Sequence, residues 1–357
     1  MRLALDLARK AEGKTSPNPV VGAVVVKSGM IIAKGYHKRA GSPHAEIIAL
    51  RKAGRKSIGA DLYVNLEPCS HHGKTPPCTE AIIAAGIKRV VLGIRDPNRL
   101  VRGKGIRFLK KQGIEVDVGI LKRDCKEVNE TFIKYITTGR PWVILKSALS
   151  LDGKVATHAG DSRWISGPKA REYAHQLRSK VDAVLVGAET VRVDDPRLTV
   201  RLNKKGIRNP VRVVVAGKQP IPVSSKIFNN ALRERVICAT TASQSLSQKK
   251  KLQLKGVELL SIKYKRKKVD LSLLMDKLGK MGITSIMIEG GAEISGDALK
   301  EKIVDKVIYF IAPKIIGGKR APGPVGGQGI SKLKDFIQLK DMSVAKLGDD
   351  FVIEAKI

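Results

Sequence analysis

Apolar positions in the first 140 residues fall into short runs broken by polar and glycine-marked segments. Residues 1–14 place Leu3, Leu7 and Ala11 at helical spacing, with Asp6 and frequent Lys/Arg between them. That pattern predicts an amphipathic helix and not the uninterrupted core of a signal peptide. The β-branched runs at 20–26 and 30–37 predict two paired strands. Helical and extended patterns then alternate: helix 46–53, strand 61–67, helix 79–85, strand 89–96, helix 105–112, strand 115–120 and helix 127–136. Alternation of this kind implies a sheet with helices packed on it.

A boundary is predicted at Thr138-Gly139-Arg140-Pro141, where Gly and Pro stop the helix and Trp142 opens a new apolar strand. Strands follow at 142–149, 183–187, 211–216, 235–239, 257–262, 285–289 and 306–312, with helices at 168–179, 271–280 and 293–301. Both halves therefore read as α/β, as domains 1–139 and 140–357. A length of 357 residues fits two domains. With 43% apolar and 28% charged residues, the composition excludes a mainly disordered chain. No apolar run approaches the roughly 18–20 residues of a membrane span. Four Cys exclude a disulfide scaffold and point to a reducing, cytoplasmic setting. The net charge of +34 is spread over both halves without a basic tail. It reads as solvated faces, or as attraction for nucleic acid or phosphorylated small molecules. Only 4% of residues are aromatic, so no stacking platform stands out.

One constellation in the first half carries chemistry. His44-Ala45-Glu46 opens a predicted helix after Pro43, Glu67-Pro68-Cys69 ends a predicted strand, and Cys78 opens the next helix. An imidazole and two thiolates make three of zinc's four ligands, and a catalytic site keeps the fourth position for water. A helix start favours a thiolate, because free N–H groups and the dipole stabilise negative charge. Metal at such a site brings the pKa of its water towards neutrality. Glu46, two residues from His44, is in reach of that water's proton and of a leaving amine. This H-x-E…P-C arrangement is that of zinc deaminases, whose Glu is not a ligand. The two Cys stand nine positions apart, wider than the usual P-C-x-x-C. His71 and His72 in the intervening loop compete as ligands, with loop structure or substrate contact the preferred reading.

HAE, LEPCSHHGKTPPC and TSPNPVVGAVVV together resemble the deaminase half of bifunctional riboflavin-biosynthesis enzymes. These are the diaminohydroxyphosphoribosylaminopyrimidine deaminase / 5-amino-6-(5-phosphoribosylamino)uracil reductases. The long Cys–Cys loop is itself typical of that family. The resemblance implies a cytidine-deaminase-like α/β/α zinc domain, with His44, Cys69 and Cys78 as ligands and Glu46 as the proton shuttle. Asn18, in SPNPVVG, matches a family position near the pyrimidine; read alone, it equally stabilises a proline-flanked turn.

The second half is less explicit. Residues 285–296, SIMIEGGAEISG, read as a strand, a glycine turn and a helix start. On its own this is either a phosphate cradle or an ordinary strand-to-helix turn. LKSALSLDGK, GDSRWIS, DDPRLTVR, IEGG and IAPKIIGG extend the resemblance over this half. They imply a dihydrofolate-reductase-like α/β domain that uses NADPH. Carried over by position, the cofactor side comprises Ala148, Trp164, Thr190 and Asp194, with the loop of Gly291, Ala292, Glu293, Ile294, Ser295, Gly296 and Asp297. The phosphoribosyl side comprises Ser162, Arg178, Leu198 and Arg201, with Glu289 near the sugar or pyrimidine. Guanidinium groups at Arg178 and Arg201 suit a 5′-phosphate; without the resemblance both read as solvated surface. Lys146 binds substrate or aids proton transfer, or is a strand-edge Lys in solvent. Trp164 reads equally as a core aromatic. Gly217 stands where the family often has a serine that contacts the cofactor, so a backbone contact survives and a side-chain contact is lost.

The resemblance thus implies hydrolytic deamination of 2,5-diamino-6-(5-phosphoribosylamino)pyrimidin-4-one, then NADPH-dependent reduction of ribosyl to ribityl. It further implies zinc and NADPH as cofactors, a phosphorylated pyrimidine as partner, no nucleic acid or membrane, and a homo-oligomer. Two other readings compete. A nucleic-acid base deaminase fits the charge but leaves the long Cys loop and the second half unexplained. A zinc deaminase with a non-catalytic second domain rests on Gly217.

Overall fold

The computed structural model describes the chain except for residues 73–75, 100, 204–205, 218–219, 242–244 and 266–267, and except for the side chains of Tyr264 and Lys265. The Lys74 region of the Cys–Cys loop therefore lies outside the described residues. The chain divides into two compact units, Met1–Gly139 and Arg140–Ile357.

In the first unit the strands are β1 (Gly22–Lys27), β2 (Met30–Tyr36), β3 (Asp61–Leu66), β4 (Arg89–Ile94) and β5 (Glu115–Val118). The helices are α1 (Arg2–Arg9), α2 (Ala45–Ala53), α3 (Cys78–Ala84), α4 (Lys104–Lys111), α5 (Lys122–Glu127) and α6 (Glu130–Thr138). Among the described residues they form one sheet of order β2-β1-β3-β4-β5. β1 pairs antiparallel with both β2 and β3, whereas β3, β4 and β5 run parallel. The tight β1–β2 turn uses Ser28 and Gly29, both at positive φ, as a two-residue hairpin requires. β4 is buried along almost its whole length, as a parallel strand covered on both faces must be. Gly35 lets α2 lie directly on β2: a Cβ there would stand 2.6 Å from the Ala45 carbonyl oxygen. That close approach fixes where α2 begins, and hence where His44 sits.

In the second unit the strands are β6 (Trp142–Ser150), β7 (Ala183–Gly187), β8 (Val211–Val215), β9 (Val236–Thr240), β10 (Glu258–Ser261), the short pair β11 (Tyr264–Lys265) and β12 (Lys268–Val269), β13 (Ser285–Ile288), β14 (Lys306–Ala312), β15 (Lys340–Leu347) and β16 (Asp350–Lys356). The helices are α7 (Pro168–Lys180), α8 (Ala188–Asp194), α9 (Leu246–Leu254), α10 (Leu271–Lys280) and α11 (Ala292–Lys300). The main sheet has the order β10-β9-β8-β7-β13-β6-β14-β16-β15 among the described residues. It is parallel from β10 to β14, and β16 and β15 add antiparallel at one edge. Val143, Leu145, Leu185, Ile286 and Ile288 from its central strands build one apolar face against α10 and α11.

Several expectations needed correction. The helix expected at 127–136 is α6, which starts three residues later because buried Asn129 spends its amide on the Val20 backbone: Oδ1 accepts from Val20 N and Nδ2 donates to Val20 O; α5 before it was not predicted. α8, α9, β15 and β16 were not predicted. Along α9 only Leu252 is buried, and β15 is exposed over nearly its whole length, so neither shows an apolar stripe.

Candidate functional site

The first site forms where α2, α3 and the end of β3 meet. His44 is the residue before α2, Cys69 follows β3 by three residues, and Cys78 is the first residue of α3. His44 Nδ1 lies 3.1 Å from Cys78 Sγ and 3.6 Å from Cys69 Sγ. The Cys78 backbone N–H donates to Cys69 Sγ at 3.3 Å, so the helix start itself supports negative charge on that sulfur. The three donor atoms all lie within 4.8 Å of one another, one nitrogen and two sulfurs, the donor set and compactness that zinc takes. Hydrogen bonds from Cys78 and His44 pull the Cys69 thiol down to about 4, against burial, while bonding to Cys69 and burial push Cys78 up. Glu46, on the first turn of α2, is buried, and burial above all pushes its carboxyl up. A carboxyl raised in this way is a better proton acceptor than an exposed one.

His71 and His72 are outside this group; His72 pairs instead with Glu80 at 3.2 Å. Asn18 does more than shape a turn. Its Nδ2 meets His37 Nε2 at 3.2 Å, His37 Nδ1 meets the Pro43 carbonyl at 3.2 Å, and the His37 ring stands edge-on to His44 at 5.5 Å. His37 was missed from sequence. Nothing local marks it, since its partner Asn18 is 19 residues away.

The second site lies at the carboxyl ends of the central parallel strands, where ligands bind in open α/β sheets. Lys146 sits in β6 between β13 and β14, so the strand-edge reading fails. Its Nζ is 3.7 Å from Glu289 Oε2 and 5.5 Å from the Phe310 ring centre. Arg178, on α7, donates to the same carboxylate through Nε and through Nη2, the latter at 2.9 Å. Both cationic side chains are largely buried, so Arg178 is not solvated surface. Burial pushes Lys146 down, partly offset by Glu289. Burial would raise Glu289, but Arg178 first and then Lys146 outweigh it and hold the carboxyl at about 2. Arg201 reaches this group through its backbone, which donates to His175 Nδ1 at 3.3 Å. Leu198 is buried at positive φ in the same segment.

Two of the expected cofactor residues lie close in sequence to this group: Ala148 is two positions after Lys146 and Gly291 two after Glu289. Thr190 Oγ1 accepts from Gly291 N at 3.0 Å, joining the starts of α8 and α11. No side chain caps α11, whose first amides are suited to phosphate. Ser295 Oγ returns to the Gly291 carbonyl at 3.1 Å, and Lys268 pairs with Glu293 and Asp297. Gly296 is required by packing, since a Cβ there would stand 2.3 Å from the Gly326 carbonyl oxygen. Ser162 hydrogen-bonds the Asp194 carboxyl, whose pKa burial raises. Trp164 is 63% exposed, under the Arg171 guanidinium at 4.7 Å, so the core-aromatic reading fails. Ala148 pairs with Phe310 across β6 and β14. Among the described residues, a Cβ on Gly217 would meet nothing within 4 Å, which leaves room for a serine side chain as far as those residues go.

Comparison with known proteins decides the family. Residues 141–353 match the RibD C-terminal domain, and residues 1–94 match the cytidine and deoxycytidylate deaminase zinc-binding region. The riboflavin biosynthesis protein RibD of Aquifex aeolicus (strain VF5) is 45% identical over 353 residues, 99% of this chain and 96% of the relative. The chain belongs to the RibD family. The Escherichia coli (strain K12) RibD protein is 39% identical, covering 98% of this chain and 96% of its own. Acinetobacter baumannii RibD, form 1, superposes with a TM-score of 0.88 at 36% identity, over 99% of this chain and 97% of that one. A diaminohydroxyphosphoribosylaminopyrimidine deaminase/5-amino-6-(5-phosphoribosylamino)uracil reductase from Thermotoga maritima superposes with a TM-score of 0.86 at 40% identity, over 100% and 97%. Like other RibD proteins, the chain is a bifunctional riboflavin-biosynthesis enzyme, a zinc deaminase and an NADPH-dependent reductase. No helix among the described residues is long and apolar enough to cross a membrane.

Proposed function

We propose that residues 1–139 hydrolyse the C2 amine of 2,5-diamino-6-(5-phosphoribosylamino)pyrimidin-4-one and that residues 140–357 then reduce its ribosyl group, giving 5-amino-6-(5-phosphoribitylamino)uracil. The compact His44, Cys69 and Cys78 group beside buried Glu46 carries the first half of this reading. Those three residues would hold zinc, which when bound supplies an acidified water. Glu46 accepts a proton from the attacking water and returns it to the departing amine. A C–O bond forms at C2, the C–N bond breaks, and ammonia leaves. Asn18, steadied by His37, contacts the pyrimidine.

For the reductase, NADPH supplies hydride to C1′ when bound. Thr190, Asp194, Trp164, Ala148, Gly217 and the 291–297 segment would flank it. Lys146, made a stronger acid by burial, donates a proton to the sugar as its ring opens. Glu289 orients Lys146, and Arg178, Arg201, Ser162 and Leu198 line the phosphoribosyl side. The reductase otherwise works by positioning two bound molecules.

The partner is a phosphorylated pyrimidine and not nucleic acid. A cytoplasmic setting suits the paired sulfurs of Cys69 and Cys78, which need reducing conditions. β15 exposes Met342 and Val344 along an outer edge of the sheet, which supports self-association into a homo-oligomer. The test is the zinc-loaded chain with substrate and excess NADPH, products identified by mass spectrometry. A deaminated ribityl product is expected. A deaminated but unreduced product would leave the second unit without this activity, and unchanged substrate from folded, zinc-containing protein would refute the whole reading.

A further inference from the structure

His175 has no part in the chemistry above, yet it stands where the substrate-side arginines meet. It is 9% exposed and lies on α7, three residues before Arg178. Its Nδ1 takes the Arg201 backbone N–H at 3.3 Å and faces Arg178 Nη1 at 3.4 Å. An amide N–H and a guanidinium can only donate. Nδ1 is therefore an acceptor, which leaves the ring proton on Nε2 and the ring neutral. The surrounding charge demands the same. Arg178, Arg201 and Lys146 converge on His175 against the single carboxylate of Glu289. Burial first, then Arg178 and Arg201, push His175 down to about 4, so it stays neutral at any working pH.

The donors of the two arginines are used differently. Arg178 commits Nε and Nη2 to Glu289, and Nη1 to the Thr199 carbonyl and His175. The Arg201 side chain has no hydrogen bond or ion pair among the described residues. Burial, then Arg178 and Arg197, lower its pKa, and Glu289 offsets this only in part. Arg178 is thus a strut for Glu289, and Arg201 is the open fork.

We propose that His175 is a positioning residue of the reductase site: its neutral ring fastens the Arg201 backbone to α7 and leaves the Arg201 guanidinium free for the phosphate of a phosphoribosyl substrate. This rests on the reductase reading above. The full zinc-loaded chain, assayed with deaminated substrate and NADPH, separates the two. His175→Leu fills the space without an acceptor, whereas His175→Asn offers Oδ1 where Nδ1 stands. His175→Leu is expected to raise the KM for the phosphoribosyl substrate about tenfold, a loss of about 1.4 kcal/mol, with kcat and the KM for NADPH within about twofold. His175→Asn is expected to bring that KM back to within about twofold of the parent. Equal KM values in the Leu and Asn variants, or a fall in kcat with KM unmoved, overturn the proposal. A parent chain that consumes no NADPH sinks the reductase reading and the proposal with it. A measurement without variants guards against misfolding: nitrogen chemical shifts of labelled histidine should report a neutral His175 with its proton on Nε2 at neutral pH. A charged ring, or the proton on Nδ1, contradicts the proposal.

Discussion

Replacing Glu289 by Gln tests the charge balance on which the reductase site is built. The Glu289 side chain is 7% exposed, and it faces two largely buried cations, Arg178 and Lys146. Its carboxyl is held at about 2, against an ordinary value of about 4.3 for Glu. That depression corresponds to stabilisation on the order of 3 kcal/mol at neutral pH. Leaving a buried charge unpaired costs about 3–5 kcal/mol, which agrees. The sign follows from the direction of the shift. A depressed folded pKa gives stability that is present above the unfolded pKa and is lost as pH falls through the folded one. Both tryptophans, Trp142 and Trp164, lie in the unit Arg140–Ile357, so their fluorescence during urea unfolding follows that unit alone. Glu289→Gln is expected to lower its stability by on the order of 3 kcal/mol at neutral pH with an unchanged urea dependence. The gap to the parent should stay constant between about pH 8 and about pH 5, narrow progressively below about pH 4, and be nearly gone at about pH 2. A loss under about 1 kcal/mol, or a gap that persists undiminished at about pH 2, would show that Arg178 and Lys146 do not hold the carboxylate ionised.

Three further outcomes are expected. Glu46→Gln should slow deamination by about a hundred- to ten-thousand-fold while zinc content and reduction of pre-deaminated substrate stay at parent levels, followed by product analysis and metal assay. Cys78→Ser should lower the zinc stoichiometry of the purified chain, measured by elemental analysis, and leave the Trp-monitored unfolding of the second unit unchanged. Gly296→Ala must push its Cβ against the Gly326 carbonyl, a cost of about 1–3 kcal/mol, and should weaken NADPH binding in a fluorescence titration without changing deamination.

The parts of the fold that sequence pattern revealed are those where burial has a simple period. β4, β7 and β13 are buried on both faces and read as continuous apolar runs between glycine-marked turns. β15 lies at the sheet edge with both faces exposed, so its sequence carries no alternation to find. The break between α5 and α6 depends on Asn129 meeting Val20, 109 residues away, which no local window contains. The zinc-type cluster was legible because each ligand sits at the end of an element and carries its own short signature. Its partners were not. His175 acts on Arg201 across 26 residues, and nothing near either residue announces the pairing. Lys146 could be judged only once the sheet order placed β6 in the middle.

One chain performs two distinct reactions, attack by water and delivery of hydride. One reaction tests both: zinc-loaded protein, unlabelled substrate, heavy-oxygen water and NADPH deuterated at the transferable position, with the product analysed by mass spectrometry. A ribityl product carrying one heavy oxygen on the pyrimidine ring and one deuterium at C1′ is expected. A product lacking the heavy oxygen would contradict hydrolytic deamination, and one lacking the deuterium would contradict hydride transfer from the cofactor.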